Sequence, residues 1–380
     1  MLKKAFAAIF ELFRQTDRVL LALCCCASLF GIFMIYSATR WTGSNRYVAV
    51  QSAALLIGVA AYALISLIDL EIAIRRWKWI AVFNVAVFLL LKAPFGVSDN
   101  PGNTAGLKFP FLPVSIGPAE VVKITFIVLL ARQLQWLRED RNDLKSFSSA
   151  ILVAGHTFLL AGLYFVISGD MGNALMFLLI FMAMAFACGF ALRWFALLLA
   201  GIGGAFAAAW HFHLLPDYMR SRFLVLFDHS YDVRGAGWQQ TRSLLTLGGG
   251  GWLGQGYLHG TQTQAGVGSI PARHTDLIFS VIGEELGLLG AVAAIALLIA
   301  IIVRILLVAR QASSRFHALI CVGIASMVAF QMIINVGMCL FVMPVIGLTL
   351  PFFSYGGSSL VTLFAAMGLV SGIKMRSIRR

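Results

Sequence analysis

Apolar residues fall in ten long blocks along the chain, separated by polar segments. Each block provides about the 20 residues that an α-helix needs to cross a bilayer, and none alternates as a membrane barrel strand would. The pattern predicts an all-α integral membrane protein with one polytopic domain over residues 1–380. The predicted spans are 19–38, 48–68, 77–95, 119–136, 148–167, 172–189, 193–213, 277–309, 317–343 and 350–373.

The segments outside these blocks differ in character. Residues 1–18 are amphipathic and basic, and we expect an interfacial segment that leads into an uncleaved first helix. Two polar segments are long, 93–118 and 214–275, and the second lies between predicted spans seven and eight. A loop of that length in a compact membrane protein usually has a structure or function of its own.

Composition excludes a soluble protein. Hydrophobic residues make up 60% of the 380 positions, charged residues only 12%, and the mean hydropathy is +0.89. The net charge of +13 lies in short basic runs between apolar blocks, so the expected partners are membrane lipids and not nucleic acid. With the N-terminus inside, 19 of the 29 lysines and arginines are cytoplasmic, which places both termini in the cytoplasm.

Ionisable residues at membrane depth are costly unless they are paired or hydrated, so they indicate function. Glu120 and Lys123 are three residues apart and share a helix face after Pro118, which suits a helix start. Two interpretations are open: a capped helix with an internal ion pair, or a charge pair that lines an outward-facing cavity.

A second polar group begins the eighth span. Asp276, Ser280 and Glu284 fall along one helix face, with Asp276 at the outer mouth. Asp276 is either a helix cap or a functional carboxylate. Asp170, in a tight outer turn, is sufficiently explained as the cap of the sixth helix, and we expect the segment around Asn335 and Ser354 to form a packed structural corner.

Taken together, these residues resemble the SEDS family, the multi-span cell-wall polymerases typified by RodA, FtsW and SpoVE. The strongest match covers 235–287, including the glycine-rich run 248–256 and the stretches 273–279 and 283–287. Residues 218–222, 335–338, 344–347 and 351–359 also fit. Gly117, Gly169 and Arg242 depart from the usual family pattern, so the chain resembles a divergent member.

The resemblance implies a peptidoglycan glycosyltransferase of the bacterial cytoplasmic membrane, acting in elongation, division or sporulation. Such an enzyme polymerises lipid II, a disaccharide-pentapeptide on undecaprenyl diphosphate, at the outer face of the membrane. The acceptor 4-hydroxyl attacks the donor anomeric carbon with inversion, a β-1,4 linkage forms, and undecaprenyl diphosphate leaves. The family also implies a partner, a class B penicillin-binding protein that supplies transpeptidation.

The same resemblance suggests roles for individual residues. Asp276 matches the family's essential aspartate, and we expect it to act as the general base. Glu120 pairs with Lys123 or helps to hold a divalent cation, Mg²⁺ or Mn²⁺. Ser280 and Glu284 are expected to line the substrate site below Asp276. The candidates for holding the diphosphate are cationic: Lys123, Arg220, Arg222, Arg242 and Arg273.

Two other functions use the same features. A lipid II flippase or other lipid-linked-sugar transporter needs the cavity but no base, and it tolerates Asp276→Asn. A non-catalytic scaffold of a wall-synthesis complex supports growth even when the site is mutated. The long outer loop with Asp276 at its end favours the enzyme, because a flippase needs cavities that open to both sides in turn.

Overall fold

The computed structural model describes residues 16–100, 103–108, 115–141, 144–229, 231–232, 235, 237–266 and 269–378. Most of the predicted interfacial segment 1–18 lies outside these residues. The described chain is predominantly α-helical, with one two-stranded antiparallel hairpin.

Within the described residues, eight helices are long and apolar enough to cross a membrane, in agreement with the predicted class of fold. Each is bounded by polar or glycine-containing turns. These helices are α1 (Arg18–Thr39), α2 (Arg46–Ser66), α6 (Phe147–Ser168), α7 (Met171–Cys188), α8 (Leu192–His211), α12 (Ile278–Gln311), α13 (Arg315–Cys339) and α14 (Gly357–Ile378).

Two of the predicted spans have a different character. Helix α4 (Trp77–Leu89) follows the short α3 (Leu70–Ile74) and is only 13 residues long. Helix α5 (Pro118–Glu139) has 22 residues, and charged side chains lie in both its first and its last third, with an apolar stretch between them. Between α4 and α5, strands β1 (Gly96–Asn100) and β2 (Asn103–Leu107) form the hairpin, which the sequence pattern does not predict.

The long segment 214–275 has a structure of its own, as its length predicts. It contains three short helices: α9 (Asp217–Phe227), α10 (Trp238–Gly250) and α11 (Thr261–Gln264). A further segment, 340–356, contains no helix or strand and joins α13 to α14. The last predicted span, 350–373, therefore begins too early, because the apolar residues before Gly357 belong to this turn and not to the helix.

Helices α5 and α13 contribute many residues to the core, and most of the inner face of each is fully buried. Helix α8 lies at the opposite extreme, because none of its 20 residues is buried. Its exposed surface includes Leu192, Leu197 and Leu199. Such a surface is stable only where lipid or another protein covers it.

Helix α12 is broken at Gly287, whose φ of 66° and ψ of −164° are not helical. The glycine-rich segment after α10 fills this break. Gln255 N–H and Gly256 N–H donate to the carbonyls of Glu284 and Glu285 (2.9 and 3.0 Å), and Leu288 N–H donates to Gly251 (2.9 Å). The segment thus pairs backbone groups that the kink leaves without helical partners.

Only glycine permits this approach. A Cβ atom on Gly287 would collide with the backbone of Trp252 and Gly254, and one on Gly250 would collide with the backbone of Gly283. Residue 287 lies nine positions into α12, which is about 14 Å along the helix axis. The segment 251–256 is therefore a re-entrant loop packed on α12.

At the other end of α12, one buried carboxylate ties three helices together. Asp17 caps α1 by accepting from Leu20 N–H, and its oxygens pair with Arg304 of α12 (2.9 Å) and Lys374 of α14 (3.1 Å). Burial opposes the charge, but the hydrogen bonds from Arg304 and Lys374 outweigh it and lower the Asp17 pKa. We refer to this end of the bundle as the Asp17 end, and to the opposite one as the Asp276 end.

The first prediction concerns this cluster. Asp17→Asn should reduce the free energy of unfolding by about 2 to 3 kcal/mol, because two cations lose their buried partner. In detergent, the apparent melting temperature should fall by several degrees. The control is Asp140→Asn, since Asp140 is exposed at the end of α5. Equal melting temperatures for the two variants would show that the cluster adds no stability.

Candidate active site

Asp276 lies in a tight turn that leads into α12. Thr275 N–H and Leu277 N–H both donate to the carbonyl of Ala272 (3.1 and 3.2 Å), and Ala272 has a positive φ of 47°. A non-glycine residue in that conformation is uncommon and is maintained by its surroundings. The turn directs the segment 274–276 toward α13 and the 340–356 segment.

Three hydrogen bonds from those neighbours hold the backbone of the turn. Asn335 of α13 donates to the carbonyl of Asp276 (2.8 Å), and Ser354 donates to that of Thr275 (2.6 Å). Tyr355 N–H donates to the carbonyl of His274 (2.8 Å). The packed corner that the sequence predicts around Asn335 and Ser354 is confirmed, and it positions Asp276.

The carboxylate of Asp276 is not used to hold the turn. It has no hydrogen bond or ion pair among the residues that the structure describes, although the backbone carbonyl of Asp276 has two donors. Burial and, to a smaller extent, the nearby charge of Asp170 raise the pKa of Asp276 from 3.8 to about 6. Asp276 precedes the first residue of α12, so it lies at the end of the bundle and not within the helix.

Asp170 is the second carboxylate of the site. It caps α7, as predicted, by accepting from Asn173 N–H (3.1 Å), and it also accepts from the hydroxyl of Tyr164 (3.0 Å). Asp170 borders a small cleft of about 60 Å³ together with Arg222 of α9 and Pro344. The Arg222 guanidinium is exposed and donates to the carbonyl of Val345 (2.8 Å).

The ion pair predicted in α5 is present. Glu120 lies in the first turn of the helix, and Lys123 donates to its Oε1 at 2.8 Å. The Lys123 side chain is fully buried and that of Glu120 is nearly so. Glu120 is within electrostatic range of Tyr164, the residue that binds Asp170. Thus Asp276, Asp170, Tyr164 and the Glu120–Lys123 pair form one polar cluster at the Asp276 end.

The remaining predicted cations are placed differently. Arg273 is buried and donates to four loop carbonyls, including those of Ile270, Ala265 and Gly266. These hydrogen bonds hold the part of the loop that contains α11. The Arg273 guanidinium therefore has structural partners here, whereas we expected it to hold the diphosphate. Arg220 contacts His213 and stacks on Trp210.

Arg242 lies beside a second opening of the site. Its guanidinium stacks 4.2 Å above the Trp238 ring and is half-buried. Trp238 lines a cavity of about 310 Å³ together with Trp41, Tyr47 and His274. Burial and the adjacent Arg273 charge lower the pKa of His274, so its ring is neutral at pH 7. Arg242 is thus adjacent to Trp238, which lines the same cavity as His274.

Ser280 and Glu284 have structural partners instead of facing the cluster. The Ser280 hydroxyl lies 2.5 Å from that of Ser243 on α10. Glu284 is fully buried, accepting from Gln262 N–H (2.7 Å), Thr263 N–H (2.8 Å) and both threonine hydroxyls of α11. These contacts join the re-entrant region to α12, because a buried carboxylate requires several donors.

The possibility of a divalent cation can be tested on these donors. Within the described part of the chain, no group of three or more His, Cys, Asp or Glu side chains is close enough to hold a metal ion. Glu120 is paired with Lys123, which is the first of its two expected roles, so it is not available as a metal ligand in this arrangement. Asp170 and Asp276 are two neighbouring carboxylates, and they would hold Mg²⁺ only with phosphate oxygens of a substrate as further ligands.

Sequence reasoning did not anticipate Tyr164 in the site, and it placed Asn335 in the packed corner without identifying Asp276 as its partner. Tyr164 lies within an apolar block, where nothing marks its hydroxyl as a partner of Asp170. Asn335 is an uncharged amide deep in a predicted span, which is itself a signal that a partner is needed. The partner could not be read from the sequence, because it lies 59 positions away.

The fold and the site define a multi-pass α-helical membrane protein with a carboxylate cluster at one end of its bundle. The chain belongs to the FtsW/RodA/SpoVE family, described as cell cycle proteins, whose sequence profile matches residues 17–378.

Its relatives include enzymes named for one activity. The peptidoglycan glycosyltransferase MrdB of Escherichia coli K12 is 34% identical over 263 residues, which is 68% of each chain. The probable peptidoglycan glycosyltransferase FtsW of Geobacter metallireducens is 30% identical over 372 residues, 95% of each chain.

Two solved structures share the fold. One, from work on the coordination of polymerization and crosslinking by a peptidoglycan synthase complex, has a TM-score of 0.79 at 27% identity and covers 96% of this chain and 99% of its own. The rod shape determining protein RodA of Thermus thermophilus has a TM-score of 0.65 at 26% identity, covering 94% of this chain and 96% of its own.

The second prediction tests the role of Glu284. Glu284→Ala should expose the segment 251–277 to limited proteolysis, because two backbone N–H groups and two hydroxyls lose their acceptor. Cleavage should be several-fold faster than in wild type and confined to this segment. The control is Glu71→Ala, since Glu71 is exposed at the Asp17 end. An unchanged cleavage rate in Glu284→Ala would show that the loop does not depend on this carboxylate.

Proposed function

We propose that this chain is an inverting peptidoglycan glycosyltransferase that polymerises lipid II into β-1,4-linked glycan strands. The observation that carries the proposal is the Asp276 carboxylate, which is positioned by its backbone, lacks a cation partner among the described residues, and has a pKa raised to about 6. These are the properties of a general base that works near neutral pH. The names of the relatives supply the substrate class.

The proposed topology has ten membrane-crossing helices, with α4 and α5 added to the eight apolar ones. Gly117, the residue before α5, donates its N–H to Ser358 at the Asp276 end, and Arg138 in the last turn of α5 donates to the end of α7. The Asp17 end holds most of the basic residues, so it is assigned to the cytoplasm with both termini. The Asp276 end and the 214–275 loop then face the outside of a bacterial cytoplasmic membrane.

In the proposed reaction, Asp276 takes the proton from the acceptor 4-hydroxyl as its oxygen attacks the donor anomeric carbon. The bond to the diphosphate oxygen breaks on the opposite face, and undecaprenyl diphosphate leaves. A diphosphate leaves without a strong general acid, unlike the alcohol released in glycoside hydrolysis. Asp170 keeps the neighbourhood negative, which favours proton uptake by Asp276.

The leaving diphosphate needs cations. Arg222 is the best placed of the predicted arginines, because it is exposed and shares a cleft with Asp170. Arg242 is the second candidate, at the cavity beside His274. Lys123 is buried against Glu120, so its proposed role is to fix the position of that carboxylate beneath the cluster.

The lipid tail needs an apolar path into the bilayer. A groove of about 320 Å³ lies between α2, α3, α4, α5 and α14, and its walls are almost entirely apolar. It begins at Val121, next to Glu120, and extends past Ile124 and Val128. Its position supports a donor site in which the prenyl chain lies along α5 and the diphosphate remains at the Asp276 end.

A partner that forms crosslinks completes the proposed role. The solved relative belongs to a peptidoglycan synthase complex that coordinates polymerization and crosslinking. We assign the same kind of partner to this chain, a class B penicillin-binding protein. Helix α8 has no buried residue, and the apolar side chains of Phe212 and Phe227 near it are exposed, so this region is a candidate surface for the partner.

The third prediction tests the base. Asp276→Asn should lower the rate of labelled lipid II polymerisation at least about 100-fold, because the amide cannot accept the proton. The folded structure should persist, since the Asp276 backbone makes the structural contacts. The matched control is Asp217→Asn, an exposed aspartate of the same loop, which should polymerise at the wild-type rate.

Each protein should be assayed with and without a penicillin-binding partner whose transpeptidase serine is inactivated. Glycan ladders from a well-folded Asp276→Asn variant would remove Asp276 from the mechanism. Movement of labelled lipid II across vesicles by both wild type and this variant, without ladders, would favour a transporter.

The fourth prediction concerns pH. A base is active when it is unprotonated, so the rate should be constant well above pH 6 and fall about tenfold per pH unit well below it. The measurement is the initial polymerisation rate under saturating lipid II between pH 5 and about 8, with the melting temperature recorded at each point. A rate that stays constant to pH 5 would contradict the raised pKa.

A further inference from the structure

A cavity at the opposite end of the bundle from Asp276 has no role in the proposed reaction. It lies between α4, α5 and α6, has a volume of about 500 Å³, and is mostly apolar. We refer to it as the α4–α6 cavity. Its lining consists of Trp77, Ala81, Leu129, Arg132, Gln133, Trp136, Leu152 and His156.

The depth of the cavity follows from the helices. Trp77 is the first residue of α4, and Trp136 lies in the last turn of α5, so both rings are at the Asp17 end. Tryptophan is enriched at the membrane–water interface because its ring is amphipathic. Arg132 is seven residues from the end of α5, about 10 Å along the axis. The cavity therefore reaches from the interface into the hydrocarbon region of one leaflet.

Arg132 is the charged residue of the cavity. It has no ion pair or hydrogen bond among the described residues, unlike Arg138, which donates to the end of α7. An arginine at this depth is costly unless it finds an anion or reaches the interface. Further cations lie at the mouth, where Lys78 stacks on Trp77 and Arg141 on Trp136. The charge of the site thus favours an anionic occupant.

A polar pair stands beside Arg132 in the cavity wall. Gln133 Nε2 donates to the carbonyl of Leu152 (3.2 Å), so its Oε1 is the acceptor from Nδ1 of His156 (2.9 Å). This arrangement assigns the proton of a neutral His156 to Nδ1 and leaves Nε2 as an acceptor. Nε2 has no partner in the described part of the chain. A ligand hydroxyl is the group that it can bind.

We propose that the α4–α6 cavity binds an anionic phospholipid of the cytoplasmic leaflet, with its phosphate on Arg132, a head-group hydroxyl at His156, and an acyl chain along Leu129 and Ala81. The apolar walls exclude a free phosphate as the main ligand, because they gain binding energy only from a chain. The leaflet follows from the proposed topology, whereas the lipid site itself is independent of the glycosyltransferase activity.

The fifth prediction tests this site with phosphatidylglycerol and phosphatidylcholine that carry identical acyl chains. Purified protein is incubated with both lipids in equal amounts, and retained lipid is counted by native mass spectrometry. Wild type should retain phosphatidylglycerol preferentially. Arg132→Gln should reduce that preference about fivefold, because one basic residue near an anionic lipid surface increases binding by about that factor.

Two further variants separate the site from general surface charge. Arg310→Gln removes the same charge from an exposed position at the same end of the bundle, outside the cavity, and should keep the preference. Ala81→Phe fills the cavity while leaving every charge in place, and it should abolish retention of this one phosphatidylglycerol. Polymerisation by both variants should match wild type.

Three results would overturn the proposal. Wild type without lipid preference would show that the cavity does not select an anion. Equal losses in Arg132→Gln and Arg310→Gln would assign the preference to the overall surface charge. Displacement of the lipid by excess inorganic phosphate would show a phosphate site without a chain. None of these results depends on polymerisation, so failure here and failure of the proposed enzyme activity are distinguishable.

Discussion

The break in α12 at Gly287 is the constraint on which the Asp276 end of the molecule depends. A kink within a membrane helix frees carbonyl and N–H groups that water cannot reach, and each must find another partner. Here the partner is the segment 251–256, whose backbone bonds to both sides of the break. The run of glycines is therefore not a flexible linker, because a side chain at Gly250 or Gly254 would collide with the backbone of α12. The part of the loop that follows is held by two buried side chains: Glu284 accepts from Thr263 N–H, and Arg273 donates to the carbonyl of Ala265.

This constraint explains how the long segment 214–275 can hold the Asp276 side chain in a fixed place. The loop is attached to α12 below the site by the re-entrant segment, and the turn 272–277 is attached above it by Asn335, Ser354 and Tyr355. All of these attachments of the turn are made to backbone carbonyls. The side chain of Asp276 is thus positioned without being consumed by a structural bond, which is a general requirement for a preorganised catalytic group.

Much of the fold was accessible from sequence, because crossing a bilayer demands long apolar helices that composition alone reveals. The Glu120–Lys123 pair was accessible too, since charge at membrane depth is rare, whereas the expected role of Asp276 came from the family resemblance and not from its position. The roles of Arg273 and Glu284 were not. Both look like site residues by position, yet each is bound by loop groups whose location depends on the kink at Gly287. The hairpin of β1 and β2 was not predicted, and the last predicted span began too early. Both errors have one reason, because short irregular segments carry no strong periodicity.

The two buried aspartates at opposite ends of the bundle show how the same side chain serves two purposes. Asp17 is met by two cations, its pKa is lowered, and it joins three helices as a permanent anion. Asp276 is met by no cation in the described chain, and burial together with Asp170 raises its pKa. A carboxylate stabilised like Asp17 would be a poor base, because the interactions that hold its charge also oppose proton uptake. In the proposed mechanism, the Asp276 carboxylate is basic enough to act because no described residue bonds to it, and the neutral hydrogen bonds of Asn335 and Ser354 to the backbone supply the positioning that an ion pair would otherwise provide.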